Sequence, residues 1–285
     1  MTFRLPQPWP TNPWPTRFRT VRASPPGQLA PGLRIVTVNS PALGGRGELM
    51  VHTTEHLSSL PVDVPLVVLL HGVYGSFWNW MLLGRVHLTL DRLVADGRVR
   101  PMVLATPSDG LAGEGTAYLA HPNADYEAWV MNDVIDCVGE LVDAVTDASP
   151  TFLAGNSMGG FGAARLGLRH PSRTAGIAMH SAITDLDQLA EFTVGDIGDD
   201  AGVAPGERDL LAAFDACTAT IPPLSIDCGR SDPLVAANRE LHAALDERGV
   251  AHRYEEFDGD HGWDAWTDRI EHSLLFFDNL LKEAR

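Results

Sequence analysis

The chain has 285 residues, 45% of them hydrophobic and 20% charged, which is enough for one large core or two small domains without covalent staples. Its formal net charge of −16, from 21 basic and 37 acidic residues, disfavours nucleic acid and anionic membrane surfaces as partners. Cys137, Cys217 and Cys228 are too few and too scattered for a disulfide framework, no zinc-binding spacing stands out, and no apolar run is long enough to span a bilayer.

Residues 1–32 hold eight prolines and no hydrophobic period. They predict an irregular arm lying on the domain with Trp9 and Trp14 as anchors. Met1 to Pro15 has no continuous apolar segment of the kind a secretory signal needs, so a cytoplasmic location is expected. Leu33–Val38 and Glu48–Thr53 alternate as two antiparallel strands joined through Gly44-Gly45-Arg46-Gly47. Segments near 66–71, 101–106, 151–155, 175–181, 223–228 and 252–257 then read as strands. Helices are predicted near 80–96, 126–146, 158–169, 234–248 and 264–283. In the helix from Tyr126, the residues Val130, Val134, Val138, Leu141 and Val145 share one face.

This alternation predicts an α/β fold over 33–285, with a mostly parallel sheet covered by helices on both faces and no linker that would split it. Residues 107–125 and 182–222 interrupt the pattern as insertions above the carboxyl ends of the strands, where lids and substrate walls lie. The acidic, Gly-rich run from Gly195 to Gly206 reads as solvated surface.

The chemistry sits just beyond the strands. Pro65–Leu70 runs into His71-Gly72-Val73-Tyr74-Gly75, whose glycines let amides turn inward. Thr151–Ala154 runs into Gly155-Asn156-Ser157-Met158-Gly159-Gly160, a strand, a sharp turn and a helix with a serine at the apex. A hydroxyl is a poor nucleophile unless a base, an orienting partner and an oxyanion site accompany it. Asp232 follows the strand ending at Gly229, and His261 follows the strand Tyr254–Phe257, so the order Ser157, Asp232, His261 is that of a nucleophile-elbow triad. Ser157 is the expected nucleophile, His261 the base and Asp232 the group that orients it. The amides of Val73 and Met158 are the expected oxyanion donors.

Other residues compete for these roles. Asp227 lies within its strand, Asp260 adjoins His261, and Asp258 is a fallback acid. Asp109 reads as a turn residue before Gly110, with a substrate contact as the alternative. His71 is expected to be structural, His170 to cap a helix, and His180 either to support the elbow or to fill core. His52, His56, His121, His242, His252 and His272 read as surface or packing residues. Trp78 and Tyr118 are the aromatic residues expected to line the substrate site.

Taken together, several segments resemble the esterase D branch of the α/β-hydrolases, which includes S-formylglutathione hydrolases, tributyrin and feruloyl esterases and mycolyltransferases. They are Leu69-Leu70-His71-Gly72, Trp78-Asn79-Trp80, Ala105–Gly110, Tyr126-Glu127, Gly155–Gly160, Cys228-Gly229 through Asp232, and His261-Gly262-Trp263. Asn156 stands where relatives often carry His, and the Gly72–Trp78 loop is closer to the tributyrin and feruloyl esterase side than to the cysteine-bearing loop of many S-formylglutathione hydrolases.

The resemblance implies an α/β-hydrolase fold and a serine esterase that forms an acyl-enzyme on small to medium acyl esters. Neither cofactor nor metal is implied, since triad and amides suffice. The expected partner is a small-molecule ester, with a homo-oligomer left open. The alternatives are an S-formylglutathione thioesterase, which would need basic residues such as Arg85, Arg165 or Arg230 at its pocket, an acyltransferase, and a non-catalytic binding module.

Overall fold

The computed structural model describes residue 18 and residues 21–25, 27–54, 61–109, 114–194 and 205–283. Trp9 and Trp14, the expected anchors of the arm, lie outside them, as does most of the acidic run after Gly195. Among the described residues no helix is long and apolar enough to cross a membrane.

Nine strands form one sheet. In chain order they are β1 (Val21–Ala23), β2 (Leu33–Ser40), β3 (Gly45–Thr53), β4 (Leu66–Leu70) and β5 (Val103–Pro107). The pair β6 (Ala120–His121) and β7 (Ala124–Asp125) makes a separate small ribbon. Then follow β8 (Thr151–Asn156), β9 (Gly176–His180), β10 (Leu224–Gly229) and β11 (His252–Phe257). The spatial order is β1-β2-β3-β5-β4-β8-β9-β10-β11. The first three strands and the β3–β5 pair are antiparallel, and the pairs from β5 to β11 are parallel.

The central strands are buried on both faces, which is why they are continuous apolar runs instead of alternating ones. The period of two survives in what each side chain meets. Val67 and Leu69 pack with Trp80, Leu90, Phe152 and Phe277, beneath α1 (Val86–Ala95) and the last helix, α7 (Trp263–Glu283). Leu66, Val68 and Leu70 pack with Phe161, Leu166 and Leu241 on the opposite face. That face is covered by α2 (Tyr126–Ala128) continuing into α3 (Ile135–Leu141), α4 (Met158–Arg169), α5 (Leu210–Ala216) and α6 (Val235–Glu247). The sheet covered on both sides is the α/β-hydrolase arrangement expected from the sequence.

Four boundaries differ from expectation. Val21–Ala23, within the stretch expected to be irregular, pair with Val36–Val38 of β2. The β2–β3 turn is Pro41–Gly44, three residues earlier than expected, and Gly44 takes φ +59. Gly47 serves packing instead, because a Cβ there would lie 2.4 Å from the Trp129 ring.

The helix expected over 80–96 is broken. Asn79–Leu83 is a wide π-helical turn closed by the Gly84 N–H on the Asn79 carbonyl at 3.0 Å, and Arg85 takes φ +48 before α1 begins. The helix expected over 126–146 widens into π geometry at Trp129–Val134 and ends at Leu141, where Val142 turns extended. Its remainder is held as coil, with the Ala144 carbonyl accepting the Val64 N–H at 2.9 Å.

Candidate active site

The turn between β8 and α4 places Ser157 at φ 54, ψ −122, a backbone region that side chains avoid. The strand and helix must close to backbone distance to impose it. A Cβ on Gly155 would lie 2.2 Å from the Gly159 carbonyl oxygen, and one on Gly159 would lie 2.2 Å from that of Leu70. The turn is then tied down on both sides. The Ser157 N–H donates to the His180 carbonyl at 2.9 Å, and the Ser157 carbonyl accepts the N–H of Gly160 at 3.0 Å and of Ile183 at 3.3 Å.

Two neighbouring loops deliver the other expected groups. The loops after β10 and β11 are bonded backbone to backbone: the Arg230 N–H donates to Phe257 O at 2.8 Å, and that of Ser231 to Gly259 O at 2.9 Å. This brings Asp232 and His261 together. His261 Nδ1 lies 2.8 Å from Asp232 Oδ2, and its Nε2 lies 3.1 Å from Ser157 Oγ. Asp232 is fully buried, and its other oxygen accepts the Leu234 N–H at 2.8 Å. Since a carboxylate only accepts, Nδ1 carries the hydrogen and Nε2 is left to accept from the serine. Phe192 stacks on the His261 ring at 5.3 Å and 21°, and Trp266 meets it edge-on at 5.0 Å.

Two of the competing carboxylates, Asp227 and Asp258, are occupied elsewhere. Asp227 accepts from His180 Nδ1 at 2.9 Å and from Arg269 Nε at 3.2 Å. His180 Nε2 meets Ser273 Oγ at 3.0 Å, so this histidine, whose carbonyl holds the elbow, is itself fixed through both ring nitrogens. Asp258 is exposed and pairs with Arg230. Asp109 is buried instead of being an ordinary turn residue. Its N–H donates to His71 Nε2 at 3.1 Å, and its carboxylate accepts the Thr116 N–H at 2.8 Å. His71 Nε2 is therefore an acceptor, and Nδ1 donates to the Gly72 carbonyl at 2.8 Å. That ring braces the loop carrying Val73. Among the described residues, no backbone carbonyl outside the helices and strands accepts the Val73 or the Met158 N–H.

The sequence model of the Esterase family, described as "Putative esterase", matches residues 40–221. The chain belongs to this esterase family. It is 27% identical over 260 residues to an acetyl esterase of Caldicellulosiruptor saccharolyticus, covering 80% of this chain and 93% of the relative. Its fold is similar to that of a ferulic acid esterase, with a TM-score of 0.73 at 22% identity over 92% of this chain and 98% of that one. It is also similar to an S-formylglutathione hydrolase of Staphylococcus aureus, with a TM-score of 0.71 at 19% identity over 85% and 97% of the two chains.

Around Ser157 in this esterase-family chain, the insertions bring residues that sequence spacing did not mark. Phe192 comes from the insertion after β9, where nothing in its local pattern points to His261. Glu114 joins three segments: its Oε1 accepts the Tyr74 hydroxyl at 3.1 Å, its Oε2 the Val194 N–H at 2.6 Å, and its carbonyl the Tyr74 N–H at 2.9 Å.

Of the two aromatic residues expected at the substrate wall, Trp78 is 38% exposed. Tyr118 does not offer a face to a ligand. It is fully buried, donates its hydroxyl to the His71 carbonyl at 3.0 Å and fills the space beside Gly162. Burial and the nearby Asp109 charge raise its pKa well above the ordinary tyrosine range.

His170 does not cap a helix through its ring, which bonds Glu127 at 2.9 Å. Cys137 and Cys228 are buried as expected, and burial, reinforced by nearby carboxylates, pushes both thiols up to about 12. They are inert fillers.

Proposed function

We propose that this chain is a serine carboxylic ester hydrolase that works through an acyl-enzyme on small to medium acyl esters. The observation that carries the reading is the unbroken relay from Ser157 Oγ to His261 Nε2 at 3.1 Å and from His261 Nδ1 to Asp232 at 2.8 Å. The Val73 and Met158 amides, neither of which meets a backbone carbonyl outside the helices and strands among the described residues, support it.

Ser157 Oγ attacks the ester carbonyl as His261 Nε2 takes its proton. The oxyanion is met by the Val73 and Met158 amides. As the tetrahedral adduct collapses, His261 returns the proton to the departing alcohol. Water then attacks the acyl-enzyme, with His261 again taking and returning a proton, and the acid leaves. Asp232 stabilises the imidazolium formed at each stage. Triad and amides account for every proton and charge in this cycle.

Two of the three candidate arginines weigh against a thioesterase for a peptide carboxylate. Arg165 is buried in pairs with Glu127 and Glu207, and Arg230 is paired with Asp258.

The test is hydrolysis of p-nitrophenyl esters from acetate upward, with wild type and Ser157→Ala side by side. Wild-type turnover is expected to be highest on short acyl chains and to fall at least about 10⁴-fold in the variant. A folded wild type inactive on every ester, or a variant that keeps its activity, would overturn the reading.

A further inference from the structure

At the far end of the sheet from Ser157, α6 and the edge strand β11 bring two histidines and an aspartate together. His252 opens β11. Its Nδ1 lies 2.8 Å from the Val250 carbonyl, which can only accept, so the hydrogen is on Nδ1 and the Nε2 lone pair points outward. That lone pair faces Nδ1 of His242 at 2.8 Å. Asp246 lies one helical turn beyond His242, with Oδ2 3.7 Å from its Nε2. One ligand atom from each of the three residues falls within 4.8 Å of the others.

We infer that His242, Asp246 and His252 bind a borderline divalent transition-metal ion of the zinc or nickel class.

Both rings are already oriented. The Val250 carbonyl fixes the His252 tautomer, which is the support that metal-binding imidazoles generally receive. Tyr254 stacks on His242 at 4.3 Å and 12°. Two metal–nitrogen bonds at tetrahedral geometry separate their nitrogens by about 3.3 Å, so the pair needs to open only slightly. Two imidazoles and one carboxylate suit zinc, nickel or copper better than magnesium or calcium, which prefer all-oxygen sets. The His242 side chain is 35% exposed and that of Asp246 64%, so an ion can reach the site and water can complete its shell.

A hydrogen bond between the two histidines would satisfy their facing nitrogens without any ion. The distinguishing feature is the third residue, Asp246, one of whose ligand atoms lies within 4.8 Å of those of both histidines, which a simple histidine pair does not need. The sequence hid the site because its ligands are spaced four and six residues apart across a helix end, a turn and a strand. The position is also separable from ester chemistry: His252 begins the strand whose far end, Phe257, leads into the His261 loop.

The experiment is equilibrium dialysis of tag-free, chelator-stripped protein against Zn²⁺, with excess Mg²⁺ present. One Zn²⁺ per chain is expected, with Tm rising by roughly 5 °C at a hundredfold excess over Kd. His242→Gln and His252→Gln should each weaken binding at least about tenfold, and His272→Gln should not. Far-UV circular dichroism and Tm without metal establish that each variant is folded. Absence of stoichiometric binding in the wild type, or binding unchanged in folded His242→Gln and His252→Gln, would overturn the inference. Failure of the ester assay would leave it untouched.

Discussion

At the scale of single residues, three groups from three different loops meet within hydrogen-bond distance. Each was legible in the sequence for the same reason. A parallel strand ends, a short loop turns, and one polar residue remains that packing does not explain. Asp232 shows how much its partner depends on it. It is buried, and its two oxygens hold the Leu234 N–H and His261 Nδ1. Asp232→Asn puts an amide where a hydrogen must be accepted, which favours the wrong imidazole tautomer. We expect kcat on p-nitrophenyl acetate to fall about 10⁴-fold with KM little changed, and a kcat within tenfold of wild type would reject the proposed role of Asp232. Phe192 was not legible, because it reaches His261 through an insertion whose length follows no period. Tyr118 is aromatic and near the site, which in sequence marks a wall residue, yet its hydroxyl is spent on the His71 carbonyl.

Among elements, β4, β5, β8, β9 and β10 were recovered to within two residues, because burial leaves an unmistakable apolar run; β11, whose residues His252–Phe257 are half-buried or exposed, was legible from its place in the alternation. Helix ends and turns were not. The π-helical turns at Asn79–Leu83 and Trp129–Val134 arise from tertiary packing around Trp80 and Trp129, both fully buried, and no local composition announces a helix with one residue too many per turn. The same limit applies to the contacts between insertions. Glu114 links the loop after β4, the insertion after β5 and the insertion after β9 through one side chain. Glu114→Ala removes two of those links while leaving its carbonyl bond to the Tyr74 N–H in place. We expect kcat/KM to drop roughly tenfold, a loss of about 1.4 kcal/mol in transition-state binding, with Tm nearly constant. Steady-state kinetics that match wild type would show that the latch has no part in holding the site.

Across the whole molecule, the surplus of acid is partly absorbed by clusters that the sequence scatters. Glu127, at the start of the helical segment after β7, meets Arg165, Arg169 and His170, and Arg165 and Arg169 also meet Glu207. Burial alone would raise the Glu127 carboxyl. The bond to His170 and the two guanidinium groups outweigh it and hold the pKa at about 2, below its ordinary 4.5. The folded state therefore binds this proton less readily than the unfolded chain. The resulting stability is present above the ordinary value and is lost as pH falls from there toward 2. After allowance for partly solvated partners it amounts to about 2 kcal/mol. Urea unfolding from pH 7 to 2 should show this loss, and Glu127→Gln should be less stable at pH 7 with a flatter acid limb. An unchanged limb would mean the cluster is energetically silent.

The parallel sheet also makes the molecule directional. Strands β4, β8, β10 and β11 enter from one rim and release Ser157, Asp232, His261 and the Val73 loop at the other. The entering rim stands a strand's length away, roughly 17–20 Å. A chemical tether at the turn Arg248–Ala251, which feeds β11, would fasten the protein to a solid support with its mouth turned toward the liquid. A tether at Trp78 or Tyr74 would press that mouth against the support. For this chain, the choice of attachment point decides whether an immobilised preparation can meet its substrate.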